Sequence, residues 1–157
     1  MQRYLAKQRR RGAPGQPLAK GPRGTSDTYA GTGVAGFAGD DGPARDAAFY
    51  FPMDVAVQPG TGLVHVSDFN NHRIRRIEAD GTVKTVVGSG LLGDAGGEGP
   101  DAKLNHPTDI QEMANGDLIV AAWHNHKIRE ISASDGRVRV LPGVRRGAAQ
   151  ARGAGGH

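Results

Sequence analysis

The sequence predicts an all-β chain in which two four-stranded antiparallel units stack face to face between basic tails. Three observations point there. The chain repeats itself at an interval of about 55 residues, and an internal period of that size marks a stacked repeat architecture. Each copy is a series of short Val-, Ile- and Thr-rich runs separated by turn residues. The 25 glycines and 9 prolines among 157 residues make up about a fifth of the chain, more than an ordinary domain uses.

Taken in order, residues 1–24 hold Arg3, Lys7, Arg9, Arg10, Arg11, Lys20 and Arg23 and no acid, and residues 144–157 hold Arg145, Arg146 and Arg152, again without an acid. Both segments are expected to be disordered, because clustered like charge with few apolar residues does not build a core. All 16 acidic residues fall between 25 and 143, so the basic overall charge belongs to the tails and the body is net acidic. The first repeat spans 25–84 and includes, near 25–30, an outer strand of a preceding unit; the second spans 85–143. Gly31, Gly33, Gly36, Gly39, Gly42 and Pro43 recur as Gly88, Gly90, Gly93, Gly96, Gly99 and Pro100. Pro52 and Asp54 recur as Pro107 and Asp109, and Asn71, His72, Ile74, Arg75 and Ile77 recur as Asn125, His126, Ile128, Arg129 and Ile131.

Within the first copy, strands are expected over 54–57, 63–67, 72–77 and 82–87, with reversals at Pro59-Gly60, Asn70-Asn71 and Asp80-Gly81. The second copy reads 109–113, 118–122, 126–132 and 137–141, with reversals at Asn115-Gly116 and Asp135-Gly136. Asn-Gly between apolar runs suggests a tight hairpin with both central residues at positive φ. Ile74 and Ile77 are three apart, as are Ile128 and Ile131, so the members of each pair fall on opposite faces of an unbulged strand. Burial of both faces is the signature of a blade sandwiched between blades, which makes each unit a β-propeller blade.

The segments VSDFNNHRIRRI (66–77) and VAAWHNHKIREI (120–131) resemble NHL repeats. The Gly-rich stretch before the first of them, AGTG (30–33) and GFAGDDGPA (36–44), is similar to the longer repeat variant of bacterial surface proteins and the teneurin propeller. The resemblance covers about 28–143. Two departures stand out: Arg73 and Lys127 replace the Leu of the family name, and Ala122 stands where the first copy has Asp68. The resemblance implies a partial six-bladed propeller and a non-enzymatic module for protein or carbohydrate binding, or for structural spacing. Two blades cannot close that ring, so the chain is expected either to assemble with copies of itself through its open blade edges or to be a truncated piece of a larger protein. The family also holds metal-dependent lyases and RNA-binding modules; the acidic body argues against nucleic acid as a partner.

Candidate binding residues are Asp68, Asn71, His72, Arg73, Trp123, Asn125, His126 and Arg129. Trp123 is the only Trp, at a hairpin tip, where it can either anchor a ligand or pack between blades. His124 and His126 are weak metal candidates: on a strand an H-x-H pair aims both imidazoles to one face. His65 and His106 read as ordinary strand-surface or loop residues. Arg73, Arg75, Arg76 and Arg129 form a basic cluster, most simply paired across strands with Asp54, Glu78 or Glu130. Asp68, Asn70 and Asn71 read as turn formers. The acidic Gly-rich loops at 39–46 and 93–101 could offer oxygen ligands to calcium but lack the EF-hand spacing, and their simpler role is to carry the chain between blades. No cofactor is expected. The absence of Cys excludes disulfides, thiol nucleophiles and Cys-ligated metal, and neither a Gly-x-Ser-x-Gly elbow nor a phosphate loop occurs. This stretch contains no signal peptide or apolar span, although the resembled family is often exported, so location stays open.

Overall fold

Two antiparallel sheets form the molecule, each meandering outward from an inner strand. The computed structural model describes residues 26–58, 60–133 and 135–141; the two basic tails lie outside them. The first sheet, blade 1, orders its strands β1 (Pro52–Val57), β2 (Val64–Asp68), β3 (Arg73–Ile77) and β4 (Val83–Val87) consecutively. The second, blade 2, holds β6 (Pro107–Glu112), β7 (Leu118–Ala122), β8 (Lys127–Ile131) and β9 (Arg137–Val140), with a two-residue strand β5 (Gly97–Glu98) added outside β9. All eight expected strands are present within two residues of their expected bounds. The outer strand expected near 25–30 is not formed over the described residues 26–30, which instead lead into the loop that covers blade 1. β5 was not anticipated, because Gly97-Glu98 has no strand propensity and owes its conformation to pairing with Val138 and Arg137.

The hairpin turns differ in detail from the expected tight form. In the Asn115-Gly116 and Asp80-Gly81 turns only the glycine takes positive φ: Gly116 at 87° accepts the reversal while its N–H donates to the Met113 carbonyl at 2.9 Å. Gly81, at φ 86°, does the same with Glu78. Each is therefore a turn closed by one left-handed glycine, a three-residue hairpin loop in which Asn115 and Asp80 keep ordinary backbone angles.

Strand β3 of blade 1 is buried on both faces, as the isoleucine spacing requires. Ile74 joins Val87, Leu104, Ile110, Val120 and Ile131 in the core between the blades, while Ile77 packs on the opposite face with Ala44, Ala47, Val66 and Val83. The loop from β4 to β6 climbs from the outer edge of blade 1 to the inner edge of blade 2, and one position in it tolerates only glycine. A Cβ on Gly88, φ 108°, would stand 2.3 Å from the His72 carbonyl oxygen. Three cross-blade bonds pin the seam near the inner strands. Ile110 N–H donates to Asp54 Oδ2 at 2.8 Å, Ser67 Oγ–H to the Pro107 carbonyl at 2.5 Å, and His106 N–H to His72 Nδ1 at 3.3 Å. Among the described residues, no helix is long and apolar enough to cross a membrane.

Candidate functional site

The loops from β2 to β3 and from β7 to β8 lie at the same end of the two blades, and each contains one 3-10 turn, Phe69–Asn71 and Trp123–Asn125. After each turn a histidine, His72 or His126, takes the left-handed conformation (φ 54° and 52°) that lets the next strand start. This local geometry raises the aromatic residue of each turn toward solvent and turns its asparagine inward.

The inward asparagines tie each turn to a Gly-rich loop. Asn71 Nδ2–H donates to the Gly36 carbonyl and to Asp68 Oδ2, both at 2.8 Å, and Asp68 Oδ1 accepts the Tyr50 N–H at 2.8 Å. In blade 2, Ala122 replaces that carboxylate, and Asn125 Oδ1 itself accepts the equivalent N–H, that of Asn105, at 3.1 Å, while its Nδ2 donates to the Gly93 carbonyl. The role in doubt from the Asp68-to-Ala122 change is thus a backbone anchor, and a neighbouring amide takes it over. Burial raises the Asp68 carboxyl above its ordinary range, opposed by the Tyr50 and Asn71 hydrogen bonds and the Arg75 and Arg73 charges.

The basic cluster is dispersed and mostly buried. Arg75 is fully enclosed, and its guanidinium donates to Asp40 Oδ1 and to the carbonyls of Ala48 and Ala38. Arg129 repeats the arrangement with Asp94, which also holds Lys127. Arg73 bridges the Asn71 and Ser89 carbonyls and lies 3.8 Å over the Phe37 ring. Arg76 does pair with Glu78, two residues on and just past the end of β3. The expected cross-strand partners are corrected accordingly: Asp54 serves the blade seam, and the aspartates of the Gly-rich loops take the buried arginines. A desolvated guanidinium needs a carboxylate and several carbonyls around it, and only those loops supply both.

The histidines also depart from expectation. His124 and His126 do not point together; the 3-10 turn between β7 and β8 separates them, and His124 instead meets His106. Among the described residues no group of three or more His, Asp or Glu is placed to hold a metal ion. His106 is the centre of a ring row: its centroid lies 4.4 Å from His72, 4.4 Å from His124 and 4.5 Å from Phe69, and Trp123 stacks on His124 at 4.4 Å. His106 Nδ1 is 2.8 Å from Asn105 Oδ1 and 2.7 Å from His124 Nδ1, and the tautomers of the two rings set which nitrogen donates. Burial, then the neighbouring imidazoles, hold His106 and His72 below the usual histidine pKa, with Arg73 adding to the effect at His72. His65 is no surface residue either: it is buried at the blade seam 3.8 Å from Glu112 Oε2. Its pKa falls to about 4, from burial first and then the Arg76 charge, against a smaller opposing effect of Glu78.

Of the candidate residues, the structure brings Trp123 and, through the row, His106 and His124 to one surface, with His72 buried at the inner end of the row; Asp68, Asn71, Asn125 and Arg129 hold loops. Trp123 is 57% exposed although ringed by partners. With Met53, Phe69, Thr108, Asp109, Lys127 and Ile128 it lines an open cavity of about 670 Å³. Sequence reasoning passed over Phe69 and His106, whose only signal was their position beside repeat-equivalent turn and Pro residues.

No family model matches the chain. It is 35% identical over 117 residues, 71% of its length, to the chloroplastic protein Suppressor of Quenching 1 of Arabidopsis thaliana. It is 34% identical over 74 residues, 45% of its length, to NHL repeat-containing protein 2 of Gallus gallus. The matched segments span 11% and 10% of those relatives' own lengths. Among solved structures, a protein of unknown function from Bacteroides thetaiotaomicron superposes with a TM-score of 0.61 at 25% identity, over 66% of this chain and 26% of that one. A second protein from that organism, at 21% identity and a TM-score of 0.54 over 66% of this chain and 25% of its own, shares the fold. These matches support a propeller-type fold with NHL-like repeats for the two blades.

Proposed function

We propose that the two blades form a non-enzymatic recognition module, of the long NHL repeat variant seen in bacterial surface proteins and teneurins, that binds a protein or carbohydrate at the aromatic and imidazole row. The observation that carries this reading is the exposure of Trp123 on a prepaid scaffold: the ring is wet on one side and stacked on His124, with Phe69 6.0 Å away, on the other. A large flat ring held still costs little further ordering entropy when a sugar face or an apolar side chain lies on it. Asp109 and Lys127 at the cavity rim supply the polar contacts that would orient such a ligand.

The test is binding of the purified chain to immobilised oligosaccharide and peptide panels, repeated with Trp123→Ala. The reading expects at least one ligand class to bind and the substitution to weaken it roughly tenfold or more, the loss of a central aromatic contact. Failure of the whole panel, or equal binding by Trp123→Ala, would overturn it.

A further inference from the structure

The two outer faces of this molecule are the two halves of the seam inside it. On blade 1, the face toward blade 2 presents His65, Ser67, Phe69, His72 and Ile74; by strand register and repeat, the open face of blade 2 presents Ile119, Ala121, Trp123, His126 and Ile128 at the same places. On blade 2, the strand that receives blade 1 presents His106, Ile110 and Glu112; its counterpart, the open side of β1, presents Phe51, Val55 and Val57. The correspondence extends to the backbone. Phe51 and His106 both stand at φ 52° before a proline that opens the inner strand, and both inner strands slip register two residues later.

Exposure follows from this. Ile74 is fully buried in the seam and Ile128 is 49% exposed; Ile110 is buried, whereas Val55 and Val57 are 58% and 60% exposed. Valines on a strand that is half out of water in this way mark a surface built for contact. We infer that the open face of blade 2 docks on the open side of β1 in a second copy of this chain, head to tail, repeating the internal seam.

The substitutions between the two versions of the seam favour the contact. The one strained polar pair of the internal seam, His65 with Glu112, whose facing atoms are buried without hydrogen-bond partners, becomes Ile119 with Val57, apolar on both sides. Asp109 stands where Asp54 accepts the Ile110 N–H, and it would take the Val55 N–H of the next copy. His126 stands where His72 accepts the His106 N–H, and it would take that of Phe51. Only the Ser67 hydroxyl bond is lost, at Ala121. Because the contact joins two different faces, it leaves one of each free and grows until a ring closes. Asp109, Trp123, His126 and Ile128 line both this docking face and the ligand cavity, so a ligand at Trp123 is expected to compete with assembly, and ligand binding by the single-chain Val55→Asp variant, whose blade 2 face is intact, separates the two proposals.

The experiment is light scattering on the eluting chain, wild type and two variants, Val55→Asp and Ile128→Asp. Both positions are exposed in a single copy, so the fold should survive, and circular dichroism checks that it does. The wild type should run as a multiple of the 16.4 kDa chain mass, each variant as one chain, and an equimolar mixture of the two as a two-chain species. The mixture is diagnostic because only one intact pair of faces remains. The pair Val57→Lys and Ile119→Lys repeats the design should either aspartate unfold its blade. A wild type that stays a single chain at high concentration, variants that still assemble, or folded variants that do not combine would each overturn the inference.

Discussion

Blade 1 and blade 2 are built on one plan from matching residues, yet blade 1 has the better satisfied buried arginine of the two. Its buried Arg75 meets Asp40, two carbonyls and, at 3.8 Å, Asp68, whereas Arg129 is held by Asp94 through one nitrogen and its buried Nε has no partner among the described residues. Its strand β3 is covered on both faces, while β8 has one face in water. The comparison teaches that the repeat encodes a blade between two neighbours. What differs between the copies is how many neighbours each has, together with a single carboxylate.

The largest difference should appear at the buried arginines. Arg75→Ala removes the cation hydrogen-bonded to Asp40 and 3.8 Å from the buried Asp68, leaving only the more distant charge of Arg73, and is expected to cost about 4 kcal/mol, the usual loss when a buried ion pair is halved. Arg129→Ala, from a less complete site, should cost about 2 kcal/mol. Urea unfolding of both variants checks the ranking, and equal losses would erase the distinction between the blades.

Next comes acid. His65 is neutral in the folded seam with a pKa of about 4, against about 6.5 for a free imidazole, so folding favours the unprotonated form. Stability from this group is complete above pH 6.5 and is lost as the pH falls toward 4, by about 2 to 3 kcal/mol. The pair is not an ion pair at neutral pH because His65 is uncharged there; burial raises the Glu112 carboxyl, with a bond from Gln58 acting the other way. His65→Gln should flatten the stability profile between pH 6.5 and 4. An unchanged slope would place the acid sensitivity elsewhere, the His72 and His106 row being the next site to test.

The smallest effects come from exchanging the differing carboxylate. Asp68→Ala strands the Tyr50 N–H and should cost about 1 to 2 kcal/mol, unless Asn71 turns as Asn125 does. The reverse exchange, Ala122→Asp, brings a carboxylate toward Arg129 at a site whose N–H is already served, and should change stability by less than about 1 kcal/mol. Thermal melts of the two variants decide it.

Much of this was legible in the sequence. The strands, their turns and the two-sided burial of β3 follow from Pro-Gly and Asx-Gly punctuation, from Val and Ile runs and from the three-residue isoleucine spacing, all of them local signals. The partners of Arg75 and Arg129 were not legible as local pairs, because they come from loops that fold back over the sheet. A signal did exist: Asp40 precedes Arg75 and Asp94 precedes Arg129 by the same 35 residues. The row of His72, His106 and His124 was hidden for another reason. It draws on two blades at once, so no single repeat contains it, and the H-x-H spacing suggested a strand where the chain makes a 3-10 turn. The strand expected near 25–30 is not formed over 26–30, because no described strand lies alongside to pair with it.

The most direct test of the account compares Ile74→Ala with Ile128→Ala by urea unfolding at concentrations too low for assembly. The account predicts a loss of about 3 kcal/mol for Ile74, the range for an aliphatic side chain removed from a closed core. For Ile128 it predicts a change within about 0.5 kcal/mol, as for an ordinary surface site. Equal losses at the two positions would mean that the open face of blade 2 is already covered, and that the contrast between the blades is not a property of this chain in solution.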